Sequence, residues 1–251
     1  MAELARVIHF MKHCLIFDAD DTLWENNIHF ETAIEEFFHL ITGLMSPART
    51  DGLDRQGVLR LLNELELESI PLRGYGSRHF VNSLKDTFRH LYGGRDGAVY
   101  LDAIDQIAHR LLNHPIQVMP GVEATLDLLR RNYRLMLFTK GDVEEQSSKI
   151  ERSGLKGHFD RVEIAPEKNA DAYHELVSRH LLDRDVTFMI GNSPRSDVLP
   201  ALAAGLWAVF VPHPHTWQLE HEEVLPHPRL LQAQSISELP SLLGQILSSQ
   251  S

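Results

Sequence analysis

A short apolar run near the start of the chain ends abruptly in carboxylates, and this feature constrains the fold most. Residues 14–17 read Cys-Leu-Ile-Phe and are followed by Asp18, Asp20 and Asp21. Four apolar residues in succession are typical of a strand that is buried on both faces of a parallel sheet. Ligands bind at the carboxyl ends of such strands, and clustered carboxylates are tolerated there mainly when a cation or a shared proton offsets their repulsion. An acidic turn or helix N-cap is the alternative interpretation.

Further apolar runs alternate with helix-like stretches and predict a parallel α/β sheet. Strands are expected at residues 135–138, 186–190 and 207–211, with a weaker one at 161–164. Helices are expected between them, at residues 122–131, 143–153, 170–182 and 197–204. Strands that alternate with helices imply βαβ units. The predicted fold class is therefore α/β, with a Rossmann-like parallel sheet core.

The segment between residues 25 and 114 differs, because its helical patterns come without the period-two alternation of strands. Helices are expected there at residues 30–42, 54–67, 78–91 and 100–112. Pro115 and the Pro120-Gly121 pair mark the return to the sheet pattern. We predict an inserted α-helical domain, residues 25–114, in a core made of residues 1–24 and 115–251.

Composition narrows the classes of partner. The chain has 251 residues, a formal net charge of −11 and a single cysteine, Cys14. This charge disfavours nucleic acid and anionic membranes as partners, and one cysteine cannot form an intrachain disulfide. No apolar run approaches the ~20 residues of a membrane helix, and no signal-peptide pattern is present, so we expect a cytoplasmic location. The oligomeric state is left open.

Polar residues follow each of four successive predicted strands, where a parallel sheet would bring them to one edge. They are Asp18 and Asp20, Thr139 and Lys140, Lys168, and the 191–197 loop with Asn192 and Asp197. Together they offer a carboxylate nucleophile, a hydroxyl donor, an ammonium group and further oxygen ligands. Phosphoryl transfer through an aspartyl-phosphate requires this set of groups.

In the order of these motifs the chain resembles the haloacid dehalogenase superfamily, a group rich in phosphatases. The resemblance covers the whole chain and rests on Asp18-x-Asp20-x-Thr22, Thr139, Lys168 and the 191–197 loop. It implies that the helical insert is a cap placed after the first motif. It also implies Mg²⁺ as the cofactor and a small phosphorylated metabolite as the substrate.

The resemblance assigns an expected role to each motif residue. Asp18 would be the nucleophile, and Asp20 would be the general acid and then the base. Thr139 would hydrogen-bond a phosphoryl oxygen, while Lys168 would neutralise charge on the nucleophile and the transferred group. The expected metal ligands are Asp18, Asp20 through its backbone carbonyl, Asn192 and Asp197.

Asn192 departs from the family pattern, which usually has Asp directly after this Gly. An amide oxygen can still bind a cation, but it brings no charge, so a weakened metal site is the alternative. The corresponding function would be that of a non-catalytic ligand- or partner-binding protein. A phosphotransferase or mutase would use the same aspartates. Asp20 favours ester hydrolysis over dehalogenation, because an alkoxide leaving group benefits from an acid and a halide does not.

Lys140 and Arg78 are further candidates for substrate contact. The backbone N–H of Lys140 is expected to point at the phosphate. Arg78 lies in the Gly-flanked stretch at residues 73–79 of the insert, and guanidinium groups bind phosphate and carboxylate well. A solvated turn is the alternative for that stretch. Four histidines late in the chain are candidates for a zinc site, with a polar loop as the alternative: His213, His215, His221 and His227.

Overall fold

The computed structural model describes residues 13–44, 54–92 and 98–249. The chain divides into two compact units, the first formed by Met1–Asn27 with Ile116–Ser251 and the second by Ile28–Pro115. Each unit has its own apolar core, and the two are described separately below.

A parallel sheet lies at the centre of the first unit. Its strands are β1 (Cys14–Phe17), β4 (Arg134–Lys140), β5 (Arg161–Ala165), β6 (Thr187–Gly191), β7 (Trp207–Phe210) and β8 (Leu230–Gln232). A separate antiparallel pair joins β2 (Trp24–Glu25) to β3 (Gln117–Val118). The strand order is β5-β4-β1-β6-β7-β8, so the chain leaves β1 toward β4 on one side and later reaches β6 on the other. Such a switch point opens a crevice at the carboxyl ends of the central strands, where α/β proteins bind ligands.

Helices connect the strands and form the second unit. In chain order they are α1 (Asn27–Leu44), α2 (Arg55–Arg73), α3 (Ser77–Tyr92), α4 (Ala98–Leu112), α5 (Val122–Leu129), α6 (Val143–Ser153), α7 (Ala170–His180), α8 (Leu199–Ala203) and α9 (Leu239–Ser249). Within the described ranges, none combines the length and apolarity that crossing a membrane would need.

The central strand β1 is buried on both faces, as its apolar run predicts. Leu15 and Phe17 belong to one apolar cluster of the first unit, whereas Cys14 and Ile16 belong to another. This alternation follows from the period of two in a strand, which sends successive side chains to opposite faces of the sheet. The free thiol of Cys14 is buried, which raises its pKa to about 12 and makes it an apolar filler rather than a nucleophile.

The predicted α/β class is confirmed, including the weaker strand at residues 161–164, which is β5. Two predictions were incomplete. β8 was missed, because three residues of half-buried strand carry too little pattern to identify. The helix expected at 197–204 begins instead with a wide turn, Pro194–Val198, in which the N–H of Val198 donates to the carbonyl of Ser193, five residues back.

The second unit consists of α-helices within its described ranges, residues 28–44, 54–92 and 98–115. Helices α1 to α4 surround one apolar cluster, whose fully buried members include Phe37, Ile41, Leu62, Leu84 and Ile104. Amphipathic helices of this length are stabilised mainly by such a shared apolar face. The function of this unit as a cap stays a prediction.

One charged residue lies among the buried positions of α2. Glu66 follows Val58 and Leu62 at helical spacing and is only 6% exposed. Burial raises the pKa of this carboxyl to about 7, because an ionised group loses its hydration there. As pH rises from about 4.5 to 7, the unfolded chain therefore ionises Glu66 before the folded chain does, and its contribution to stability falls.

We expect Glu66→Gln to stabilise the protein above pH 7, by roughly 3 kcal/mol, and to have little effect near pH 4.5. Thermal or urea unfolding at both pH values measures the difference. Glu68→Gln, on the exposed face of the same helix, is the matched control and should leave the pH dependence unchanged. An equal effect of Glu66→Gln at both pH values would contradict the assigned cause.

Candidate active site

The predicted site residues of the first unit lie at the carboxyl ends of four neighbouring strands. Asp18 directly follows β1, Thr139 is the last residue but one of β4, and Asn192 directly follows β6. Lys168 lies in the loop between β5 and α7. Because β5, β4, β1 and β6 are consecutive in the sheet, their ends form one continuous edge. All four of these side chains are buried.

Lys168 connects the two carboxylates of this edge. Its Nζ atom donates to Oδ1 of Asp18 over 2.6 Å and to Oδ1 of Asp197. It also donates to the backbone carbonyl of Phe138, over 3.2 Å. All three donor positions of the ammonium group are therefore used, which fixes the side chain in place. The structure thus brings together three of the residues that the sequence predicted, two of which, Asp18 and Lys168, are 150 positions apart in the chain.

The cluster carries an excess of negative charge. Burial by itself would lower the pKa of Lys168, but the carboxylates of Asp18 and Asp197 raise it well above its usual value. Burial, together with the nearby charge of Asp18, raises the pKa of Asp197 to about 7 although Lys168 opposes the shift. Two carboxylates with one ammonium group are thus short of one positive charge, and a buried site of this kind favours a cation.

Thr22 and Asn192 extend the cluster on one side. The hydroxyl of Thr22 lies 3.0 Å from Oδ2 of Asp18 and 3.1 Å from Oδ1 of Asn192. The other end of the amide, Nδ2, donates to Thr216 over 2.9 Å. With Nδ2 bound to Thr216, the amide oxygen of Asn192 faces the hydroxyl of Thr22, which also contacts Asp18.

The loop after β6 places Asp197 by close packing against Gly191. A Cβ atom added to Gly191 would lie 2.2 Å from Oδ2 of Asp197, far inside contact distance. The same Oδ2 accepts the backbone N–H of Ser193 over 2.9 Å. Ser193 also caps the wide turn, because its side chain accepts the N–H of Ser196. Only glycine at position 191 allows the carboxylate to approach the strand this closely.

The chemistry of these donors fits Mg²⁺, although the expected ligand set remains a prediction. The carboxylates of Asp18 and Asp197 and the amide oxygen of Asn192 are hard oxygen ligands, the type that this ion prefers. The cluster of Asp18, Asp197 and Lys168 is short of one positive charge, and this observation favours a cation. The side-chain carboxylate of Asp20 takes no part in this set, because it is held by other residues.

Asp20 is bound by three donors that do not contact Asp18 or Asp197. Trp24 Nε1 donates to Oδ1 over 2.7 Å, and both Gln146 Nε2 and Lys149 Nζ donate to Oδ2 over 2.9 Å. Burial alone would raise the pKa of Asp20, but Lys149 and these hydrogen bonds lower it. Asp18 and Asp20 are thus only two residues apart and have separate lysine partners.

A second group of possible ligands lies beside the predicted one. In the part of the chain that the structure describes, this group consists of Asp21, Glu25 and His213. Each residue offers one carboxylate or imidazole ligand atom, and these atoms lie within 4.8 Å of one another. Asp21 already has a structural function, since it accepts the backbone N–H groups of Asn26 and Asn27 at the start of α1. The other histidines of the zinc hypothesis do not belong to this group. His221, for example, contacts the carbonyl of Thr216.

Lys140 reaches a residue that the sequence did not indicate. Its Nζ atom donates to Oε1 of Glu220 over 2.5 Å and to the hydroxyl of Ser196 over 2.9 Å. Glu220 is buried and accepts, through Oε2, the hydroxyls of both Ser193 and Ser196. Burial would raise the pKa of Glu220, but Lys140 and these hydroxyls lower it, so the carboxylate is held ionised. Glu220 therefore fastens the end of β4 to the loop that contains Asp197.

Arg78 belongs to the second unit. It lies in the first turn of α3, where it lines a groove of about 390 Å³ together with residues of α3 and α4. The groove combines the charged side chain of Asp105 with His109 and apolar residues. A substrate contact by Arg78 stays a prediction.

Four buried residues that contact the predicted site residues were not predicted from the sequence: Gln146 and Lys149 on α6, Trp24 on β2, and Glu220. Gln146 and Lys149 are three positions apart, which places them on one helix face, but the sequence does not say which face is buried. Glu220 lies 27 residues beyond Ser193 in a long loop, and no pattern in the sequence connects the two.

We expect Gly191→Ala to displace Asp197 and to destabilise the protein by about 1–3 kcal/mol, because the new methyl group overlaps the carboxylate. Urea unfolding measures the change. Gly157→Ala is the matched control, since no atom lies within 4 Å of a Cβ added there. Equal stability of the two variants would show that Asp197 can move without cost.

Comparison with known proteins agrees with the geometry. A family model for haloacid dehalogenase-like hydrolases matches residues 12–205. A solved haloacid dehalogenase-like family hydrolase from Xanthomonas campestris is 30% identical with a TM-score of 0.81, over 95% of this chain and 93% of that chain.

Two curated relatives are more distant. The glyceraldehyde 3-phosphate phosphatase of Methanothermobacter thermautotrophicus is 27% identical over 80% of this chain and 86% of its own length. The pyrimidine 5'-nucleotidase YjjG of Escherichia coli is 28% identical over 41% of this chain, and the match spans about half (48%) of that relative. With the sheet, the buried Lys168 and the family match together, the chain belongs to the haloacid dehalogenase-like hydrolases.

Proposed function

We propose that this hydrolase is a Mg²⁺-dependent phosphatase that cleaves a small phosphate monoester through an aspartyl-phosphate on Asp18. The observation that carries the proposal is the contact of Lys168 with Asp18 and Asp197, buried at the switch point of the sheet. An ionised carboxylate held by a fixed ammonium group, with a second carboxylate beside it, is suited to attack on phosphorus. The relatives named as a phosphatase and a nucleotidase support a small phosphorylated substrate.

Asp18 and its neighbours supply the first step. A carboxylate oxygen of Asp18 attacks phosphorus while the P–O bond to the leaving alcohol breaks. Lys168 stabilises the negative charge of the transferred group, and the hydroxyl of Thr139 donates to one of its oxygens. Both side chains are buried and therefore act in an environment where water screens their charges weakly.

Asp20 supplies the proton. As an acid it protonates the leaving alkoxide, and as a base it then takes a proton from the water that attacks the phosphorus of the aspartyl-phosphate. A dehalogenase has no need of this acid, because halide leaves without a proton. The presence of a carboxyl group at position 20 therefore supports ester hydrolysis.

Asp18, Asp197, Asn192 and the backbone carbonyl of Asp20 would hold the cation. When bound, Mg²⁺ would supply the positive charge that the cluster lacks and would offset the charge of the phosphoryl group. The amide of Asn192 is the one neutral side chain in this set. Its neutrality is the feature that also fits a non-catalytic binding protein, and the experiment below separates the two functions.

Phosphate release from a panel of phosphomonoesters tests the proposal directly. We expect turnover by the wild type that requires added Mg²⁺, loss of turnover to background in Asp18→Asn, and a loss of about 10²–10⁴-fold in Asp20→Asn. Asp171→Asn, an exposed position in the first turn of α7, is the control and should retain full activity. Substantial turnover by Asp18→Asn would disprove the aspartyl-phosphate. If the wild type released phosphate from none of the esters, the result would favour a binding protein.

Asn192, the one neutral side chain in the proposed ligand set, provides an independent test. We expect Asn192→Asp to lower the Mg²⁺ concentration for half-maximal activity about tenfold, because a third carboxylate beside Asp18 and Asp197 strengthens cation binding. Without Mg²⁺ the same variant should be less stable than the wild type, since the added carboxylate lies in a buried negative cluster. Mg²⁺ titration of activity and of melting temperature measures both effects, with the exposed Asn132→Asp as the control. An unchanged Mg²⁺ requirement would exclude Asn192 from the ligand set.

A further inference from the structure

Helix α6 presents two buried polar side chains to Asp20, and neither has been assigned a function above. Gln146 and Lys149 are both 4% exposed. Their donors converge on one oxygen of the carboxylate, Oδ2, while Trp24 donates to the other. Three donors on a single carboxylate leave it little freedom to rotate.

The start of α6 is built so that Gln146 can reach Asp20. Asp142 caps the helix by accepting the N–H of Glu145 over 2.9 Å. Gly141, just before the cap, has a φ of +137°, and a Cβ atom added there would lie 3.2 Å from the Nε2 atom of Gln146. The side chain of Gln146 therefore passes over a position where only glycine provides both the backbone conformation and the space.

One of these side chains costs free energy of folding, which indicates that it has a function besides stability. Oε1 of Gln146 is buried and has no hydrogen-bond partner among the described residues, an arrangement that typically costs about 1–3 kcal/mol. An apolar side chain of the same shape would avoid this cost. The amide group has one polar contact that requires it, the bond from Nε2 to Asp20.

Lys149 is held as firmly as Asp20. Besides Asp20, its Nζ atom donates to Oδ1 of Asn26 over 2.8 Å and lies 3.4 Å from a carboxylate oxygen of Glu145. The ammonium group is thus fixed from three sides. It is a rigid support for the carboxylate rather than a mobile surface charge.

We propose that Lys149 and Gln146 are positioning residues for the acid–base step at Asp20, a proposal that rests on the function proposed above. They hold the Asp20 carboxyl group, with Trp24, in the orientation from which its proton passes to the leaving oxygen. Lys149 and Gln146 fix Oδ2 and Trp24 fixes Oδ1, so the carboxyl group keeps one orientation while the P–O bond of the ester breaks. Lys149 keeps its own proton throughout, so neither residue is a catalytic residue.

The dependence of rate on the leaving group distinguishes this function from a purely structural one. Since kcat/KM reports the steps up to release of the leaving group, it isolates the stage at which Asp20 acts as an acid. Esters of 4-nitrophenol need little protonation, whereas esters of simple alcohols need a well-placed acid. A misplaced Asp20 therefore slows the hydrolysis of alkyl phosphates much more than that of nitrophenyl phosphate.

The experiment measures kcat/KM with saturating Mg²⁺ for 4-nitrophenyl, phenyl and alkyl phosphates. We expect Lys149→Met to lower the value less than about tenfold for the nitrophenyl ester and about 10²–10³-fold for the alkyl ester. Lys149→Arg should restore most of the difference. Gln146→Met should show the same trend with smaller losses, and it tests the proposal even if Lys149→Met folds poorly. Lys156→Met, which removes an exposed lysine paired with Glu151, is the matched control and should behave as the wild type.

The possible failures are distinguishable. Equal losses along the series for both Lys149→Met and Gln146→Met would overturn the positioning function while leaving the phosphatase intact. A wild type that hydrolyses none of the esters would remove the proposed function and, with it, this proposal. Melting temperatures of all variants separate a loss of folded protein from a loss of chemistry.

Discussion

The structure of the candidate site depends on one buried interaction, the contact of Lys168 with Asp18 and Asp197. Taking three charged groups out of water is costly, and the cost is offset only when the groups are held together with good geometry. Loss of Lys168 would leave two buried carboxylates side by side, which a folded protein tolerates poorly. The rest of the edge is therefore arranged to keep these three side chains in place. Gly191 lets Asp197 approach β6, and Glu220 fastens the Asp197 loop to the end of β4.

The order of the strands makes this interaction possible. β1 lies between β4 and β6, so residues that are far apart in the chain emerge at neighbouring points of one edge. The loop after β5 places Lys168 so that its Nζ atom donates to the carbonyl of Phe138, the residue before Thr139. Parallel strands with right-handed connections place all of their carboxyl ends on the same side, and this shared direction is the reason that one cluster can form from four separate loops.

The same property explains how much the sequence could predict. Asp18 could be found because a polar residue directly after an apolar run is visible without knowledge of the packing, and Lys168 because it lies in the loop that follows another predicted strand. Gln146, Lys149 and Glu220 could not, because their importance depends on which helix face or loop meets the edge. Propensity and periodicity do not contain that information. The missed strand β8 has a similar cause, since its three residues are recognised only by pairing with β7.

The two aspartates of the first motif show how a shared backbone supports different chemistry. Asp18 and Asp20 are two positions apart in the loop after β1, and each contacts a different buried lysine, Lys168 or Lys149. The carboxylate of Asp18 lies in a cluster with two carboxylates and one ammonium group, which is short of one positive charge. This suits a group that attacks beside a cation. The carboxylate of Asp20 accepts hydrogen bonds from the ammonium group of Lys149 and from two neutral donors, which fix its orientation as an acid–base group requires. Two chemically identical side chains are thus differentiated by their partners, the way in which enzymes commonly separate a nucleophile from an acid–base group.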